Sequence, residues 1–141
     1  MVEEIRFFID SIGATKLQSG NEIHKIISPI FKRQNYFYFR GQVIIVKISR
    51  IDPPFFGVNE RYINMLSTLK KDYSLILLTS KKTGWYYSCK TIKQEIDNGN
   101  WGYSSKDKNY KIKNYYRDEF NFKSISEFLA LFDDYAKINI R

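Results

Sequence analysis

Tyr36-Phe37-Tyr38-Phe39-Arg40-Gly41-Gln42-Val43-Ile44-Ile45-Val46-Lys47-Ile48-Ser49-Arg50 is the stretch that decides how this chain folds. Tyr36 to Arg40 is dense in strand-favouring aromatics, and Gly41 separates it from Gln42 to Arg50, rich in Val and Ile, so two neighbouring strands are predicted. In the second, Ile44, Val46 and Ile48 point one way while Val43, Ile45, Lys47 and Ser49 point the other. Apolar residues on both faces predict a central strand covered on both sides. In the first, Tyr36 and Tyr38 share one face, and Phe37 and Phe39 the other.

Upstream, Ile5, Phe8, Ile9 and Ile12 form one helical stripe over residues 2–12, and Gly13 supplies a stop. Asn21 can cap a second helix carrying Ile23, Ile26, Ile27 and Ile30, with Pro29 limiting its regularity. Downstream, Asp52-Pro53-Pro54 and Gly57 end the strand in a turn before residue 58. Val58, Tyr62, Met65, Leu66 and Leu69 then read as an amphipathic helix ending at Lys70-Lys71. Leu75 to Leu78 followed by Trp85-Tyr86-Tyr87 reads as a hairpin with one buried strand, turning through Lys81 to Gly84. Thr91 with Gln94 has capping-box spacing for a short helix ending at Asn98-Gly99. Tyr110 to Lys113 alternates like an edge strand, and Ser124 with Glu127 caps a closing helix through Phe128, Leu129, Leu131, Phe132 and Tyr135. The fold class is α/β or α+β: one domain over 1–141, with a central mixed sheet of four or five strands flanked by helices.

With 141 residues, 43% hydrophobic and 17% aromatic, the chain has enough apolar surface for a core without disulfides, which excludes disorder. A single cysteine, Cys89, and the lack of a leader-like opening predict a reducing cytoplasm. Apolar runs such as Val43 to Val46 are far short of the roughly 18 residues a bilayer span needs, so no membrane partner is expected. The 23 Lys and Arg against 15 Asp and Glu give a formal charge of +8, a field that attracts polyanions, nucleic acid foremost. The excess is local. Residues 23–50 hold Lys25, Lys32, Arg33, Arg40, Lys47 and Arg50 and no acid.

Lys47 stands out as an ammonium in the middle of the most apolar strand, where lysine is almost never left buried and unpaired. It either meets a phosphate or a water at the sheet surface, or its tip snorkels to solvent. The order of two strands with an internal Val-Lys, a helix, and two more strands with Gly84-Trp85 resembles the core of the PD-(D/E)XK nuclease-like superfamily, over roughly residues 20–90. The resemblance implies a restriction-endonuclease-like sheet and a site in which two acids hold magnesium that activates water. Ile45 occupies the carboxylate position of Ile45-Val46-Lys47, and isoleucine cannot bind a hard cation. Glu22 and Glu60 are then the candidate displaced ligands, acting with Lys47 if catalysis survives. Otherwise the scaffold binds without cleaving, and the bacterial contexts of such scaffolds imply defence, counter-defence or mobile-element biology.

Aromatic rings among cations are the second signal, because bases stack on exposed rings while cations track phosphates. The candidate nucleic-acid contacts are Lys32, Arg33, Tyr36, Tyr38, Arg40, Lys47 and Arg50. A second surface at Lys106 to Arg117 interleaves Tyr103, Tyr110, Tyr115 and Tyr116 with Lys106, Lys108, Lys111, Lys113 and Arg117. Trp85 and Trp101 are read as core anchors. His24 has no second His or Cys partner, and no phosphate loop or dinucleotide fingerprint occurs, so neither metal nor cofactor is expected. The same composition suits a protein-interaction module docking on an acidic partner.

Overall fold

Arg40 and Gly41 form a two-residue turn with φ of 47° and 85°, both in the left-handed region, which matches the right-handed twist of a tight hairpin. It joins β1 (Tyr36–Phe39) to β2 (Gln42–Ile48), antiparallel, with Phe39 opposite Gln42. The structure, a computed structural model, describes residues 1–17, 21–31, 34–69, 71–113 and 116–139, with side chains to Tyr135.

β2 also pairs in parallel with β4 (Tyr73–Leu78), Val43 opposite Tyr73 and Lys47 opposite Leu77. β4 pairs antiparallel with β5 (Gly84–Ser88), and β5 with the two-residue β8 (Asn121–Phe122). The result is a five-stranded mixed sheet, ordered β1-β2-β4-β5-β8, in a mixed α/β domain. As the two-faced apolar pattern predicts, β2 is central and buried from Gln42 to Val46. Both strands of the β4–β5 hairpin are buried, all of β4 and all of β5 but Trp85, rather than one of them.

Each face of this sheet has its own core. On one, Ile44, Val46, Ile76 and Tyr86 meet α1 (Glu3–Ile12), through Ile5, Phe8, Ile9 and Ile12, and α5 (Ile125–Asn139), through Phe128 and Phe132. Phe8, Phe128 and Phe132 are fully buried, each worth about 2 kcal/mol of apolar transfer. The capping box at the start of α5 is present: the Ser124 hydroxyl accepts from the Glu127 amide at 3.1 Å, and the Glu127 carboxylate accepts from the Lys123 amide at 3.3 Å.

On the other face Val43, Ile45, Leu75, Leu77 and Tyr87 pack against α2 (Glu22–Ile27), α3 (Glu60–Thr68), α4 (Cys89–Asp97) and a small sheet. That sheet, β3 (Phe56–Asn59), β7 (Asn109–Ile112) and β6 (Gly102–Ser104), corrects two expectations. Val58 belongs to a strand rather than to the following helix, because Phe56 and Val58 alternate into the core and pair with β7, and Asn59 caps α3 by accepting from the Arg61 amide at 3.0 Å. Residues 110–113 are not an edge: β7 lies between β3 and β6 and ends at Ile112. The cap of α4 is Ser88, whose hydroxyl accepts from the Thr91 amide at 3.3 Å, so Thr91 lies inside the helix. α2 is capped by Asn21 as expected, but it ends at Ile27, two residues before Pro29. Trp101 is buried, and Trp85 is half-buried against Tyr116. No helix among the described residues is long and apolar enough to cross a membrane.

Candidate functional site

Lys47 leaves β2 on the face of Val43 and Ile45, at the point where the strand runs out from under the core. It is half-buried, and its ammonium donates to Gln34 Oε1 at 3.1 Å. Burial pushes its pKa below the ordinary lysine value, since desolvation disfavours the charged form. The side chain lines a cleft of about 440 Å³ with Gln34, Asn35, Phe55, Phe56 and Val2. The loop after β2 is tied down on two sides: the Ser49 hydroxyl accepts from the Phe55 amide at 3.1 Å, and the Tyr116 hydroxyl donates to the Pro54 carbonyl at 2.8 Å. Among the described residues no carboxylate lines the cleft, and the ammonium faces two side-chain amides there.

The acids that the nuclease resemblance calls for lie elsewhere. Ile45 is buried in the core beneath the cleft. Glu22 is exposed on α2 and pairs with Lys25 at 3.7 Å. Glu60 opens α3 and lines a different cleft with Arg61, Asn64, Lys106 and Lys108. Among the described residues no group of three His, Cys, Asp or Glu side chains is placed to hold a metal. A magnesium ion, which needs anionic oxygen ligands, does not fit the donor set around Lys47.

The other candidate contacts are largely engaged within the chain. Arg40 lies at the β1–β2 turn, ion-paired with Asp133 and stacked on Phe39. Arg50 makes a bidentate pair with Glu4, at 2.6 Å on each oxygen. Lys111 pairs with Asp107 at 3.0 Å, and Arg117 bridges Glu95 and Glu119. Lys113 is exposed and has no ion pair among the described residues. Tyr36 is half-buried against Phe31, whereas Tyr38 is exposed. Lys32, Arg33 and Tyr115 lie outside the described residues. A guanidinium already held by carboxylates must break that pair before it meets a phosphate, which lowers its net contribution.

The Arg50 pair has a measurable signature. Its guanidinium holds the Glu4 carboxyl down from an ordinary 4.5 to about 2. A carboxylate depressed by folding adds stability that is complete above its unfolded pKa and disappears as pH falls through its folded value. An NMR titration of Glu4 is therefore expected to give a midpoint near 2 in the parent protein and a higher one, moved toward the ordinary carboxyl value, in Arg50→Ala. An unchanged midpoint in the variant would assign the depression to another group.

Sequence reasoning missed Arg61, Lys71, Lys90 and Lys93. With Lys106 and Lys108, these exposed residues line two clefts that meet at Asn64, and none of the six is ion-paired among the described residues. Lys90 and Lys93, three apart on α4, were visible as a helical pair, but nothing local indicated that α3 would pack opposite them. Compared with protein-family models, curated proteins and solved structures, the chain has no match.

Proposed function

We propose that this chain is a small basic nucleic-acid-binding protein on a nuclease-like scaffold, working in the cytoplasm and holding its ligand by charge and stacking without cleaving it. The observation that carries this reading is Lys47: a half-buried ammonium hydrogen-bonded to one amide oxygen, in a cleft with no carboxylate among its described lining residues. An uncompensated charge in such a place stabilises an anion brought to it, and the +8 of the chain favours a polyanion. Of the other named contacts, Tyr38 and Lys113 are exposed and take part in no ion pair among the described residues, whereas exposed Arg40 and Arg50 are held by Asp133 and Glu4.

The test is titration of Lys47→Met and of the parent against single- and double-stranded DNA and RNA at two salt concentrations. The variant is expected to bind about tenfold more weakly at low salt and to lose about one unit of salt slope, the share of one phosphate contact. It is also expected to be more stable near neutral pH, because the folded state no longer desolvates a charge. Equal affinity and slope would remove Lys47 from the interface. No magnesium-dependent cleavage is expected; cleavage abolished by both Lys47→Ala and Glu60→Gln would establish the displaced-acid nuclease.

A second reading is a protein-interaction module, favoured by Ile51 and Phe55, 63% and 39% exposed on the loop beside the same cleft. Apolar side chains around a cationic centre suit an acidic protein partner. Under that reading Ile51→Ser with Phe55→Ser abolishes partner capture and leaves nucleic-acid affinity unchanged.

A further inference from the structure

The parallel register of β2 and β4 separates two clefts on the same face of the sheet. Lys47 lies opposite Leu77, and Val43 opposite Tyr73, so the far end is four residues, or about 13 Å, along the strands. There α3 and α4 enclose a cleft of about 630 Å³, within the size range of small-ligand sites. Its apolar wall is Ile63, Ile96 and the Tyr110 ring, and its rim carries Lys71, Lys90 and Lys93. All three lysines are exposed, with no ion pair among the described residues. Asp72, the single acid in the lining, accepts from the Cys89 thiol at 3.8 Å, and the Ser67 and Tyr73 hydroxyls are 3.2 Å apart.

Two simple occupants fail. A bare inorganic anion meets the lysines but leaves the apolar wall in water. A purely apolar ligand leaves three ammonium groups around it without a counter-charge. Covalent capture by Cys89 is also disfavoured, because burial and the Asp72 charge push its thiol pKa up and keep it protonated. A flat ring system joined to an anion by a hydroxylated spacer meets all three features, the apolar wall, the lysine rim and the polar groups of Asp72, Ser67 and Tyr73. We infer that this cleft binds a nucleoside phosphate, with the base against Ile63, Ile96 and Tyr110, the phosphate among Lys71, Lys90 and Lys93, and the sugar hydroxyls toward Asp72, Ser67 and Tyr73. The ligand is either a free nucleotide or the 5′-phosphorylated end of a strand, which offer the same chemistry. This site is independent of the Lys47 reading and stands or falls separately.

The experiment is an amide NMR titration of the full chain with each of the four ribonucleoside 5′-monophosphates, the four nucleosides, inorganic phosphate, and one short oligonucleotide with and without a 5′-phosphate. At least one monophosphate is expected to shift the amides of Cys89, Lys90 and Lys93 saturably, about tenfold more tightly than its nucleoside or phosphate alone. Lys90→Ala with Lys93→Ala, two exposed positions whose loss leaves the fold intact, is expected to weaken this about tenfold. A response to the 5′-phosphorylated oligonucleotide alone, lost in the same double variant, assigns the site to a strand end. Absence of any response at millimolar ligand, a response no stronger than that to inorganic phosphate, or equal binding by the double variant overturns the inference.

Discussion

Gly84→Ala is expected to cost about 3 kcal/mol of stability, the upper part of the range for forced overpacking and a large share of what a domain of this size has to lose. Gly84 begins β5, opposite Leu78 on one side and Phe122 on the other, and its carbonyl accepts from the Asn121 side chain at 3.0 Å. A methyl group there would lie 2.0 Å from the Leu77 carbonyl oxygen and 2.9 Å from its carbon. Both are backbone atoms of a buried central strand, so no rotamer change relieves the clash and the ladder itself must move. Urea unfolding checks this, with Gly57→Ala as the control. Gly57 is also in a strand, but its nearest neighbour is 4.0 Å away, so its substitution is expected to stay within about 0.5 kcal/mol. Similar midpoints for the two variants would show that β4 and β5 have slack at their turn.

Arg117→Ala is expected to destabilise the fold by about 3 kcal/mol, through the residue it leaves behind. Glu95, on the inner face of α4, has a side chain with 0% exposure, and Arg117 Nη1 donates to its Oε1 at 3.1 Å. The remaining contact on that oxygen is the Asn100 amide at 3.5 Å, and Oε2 has no hydrogen-bond partner among the described residues. Removing the guanidinium strands a buried carboxylate, which typically costs 3–5 kcal/mol; about 3 applies because Arg117 is itself 36% exposed and partly screened. Adding Glu95→Gln to Arg117→Ala is expected to recover more than half of the loss, since the buried charge is gone. A loss below about 1 kcal/mol in the single variant would mean that solvent reaches Glu95 once the arginine is removed.

The engagement of Arg117 explains why the fold was more legible than the site. Elements set by contacts within a few residues were readable: the Ile5, Phe8, Ile9, Ile12 stripe, the turn at Gly41, the Asn21 cap and the Ser124 to Glu127 capping box. Errors arose where two local signals competed. Val58 fits the helical spacing of Tyr62 and Met65 and also the alternation of Phe56, and its pairing with Tyr110 of β7 decides for the strand. Thr91 has capping-box spacing, yet the chain leaves the sheet three residues earlier, so Ser88 takes the cap.

The sequence by itself determined the two-faced apolar pattern of residues 43–46, hence a central strand with a layer on each side, and a lysine within that strand. Both follow from strand alternation and the cost of leaving apolar side chains in water, which need no knowledge of distant residues. Only the tertiary structure decided which cations remain available. Arg40 finds Asp133, 93 positions away, and Arg50 finds Glu4, 46 positions away, whereas Lys71, Lys90 and Lys93 find no carboxylate among the described residues. Ion pairing acts over a few ångströms of space, so a count of charges along the chain cannot tell a cation held in a pair from one left to bind a ligand.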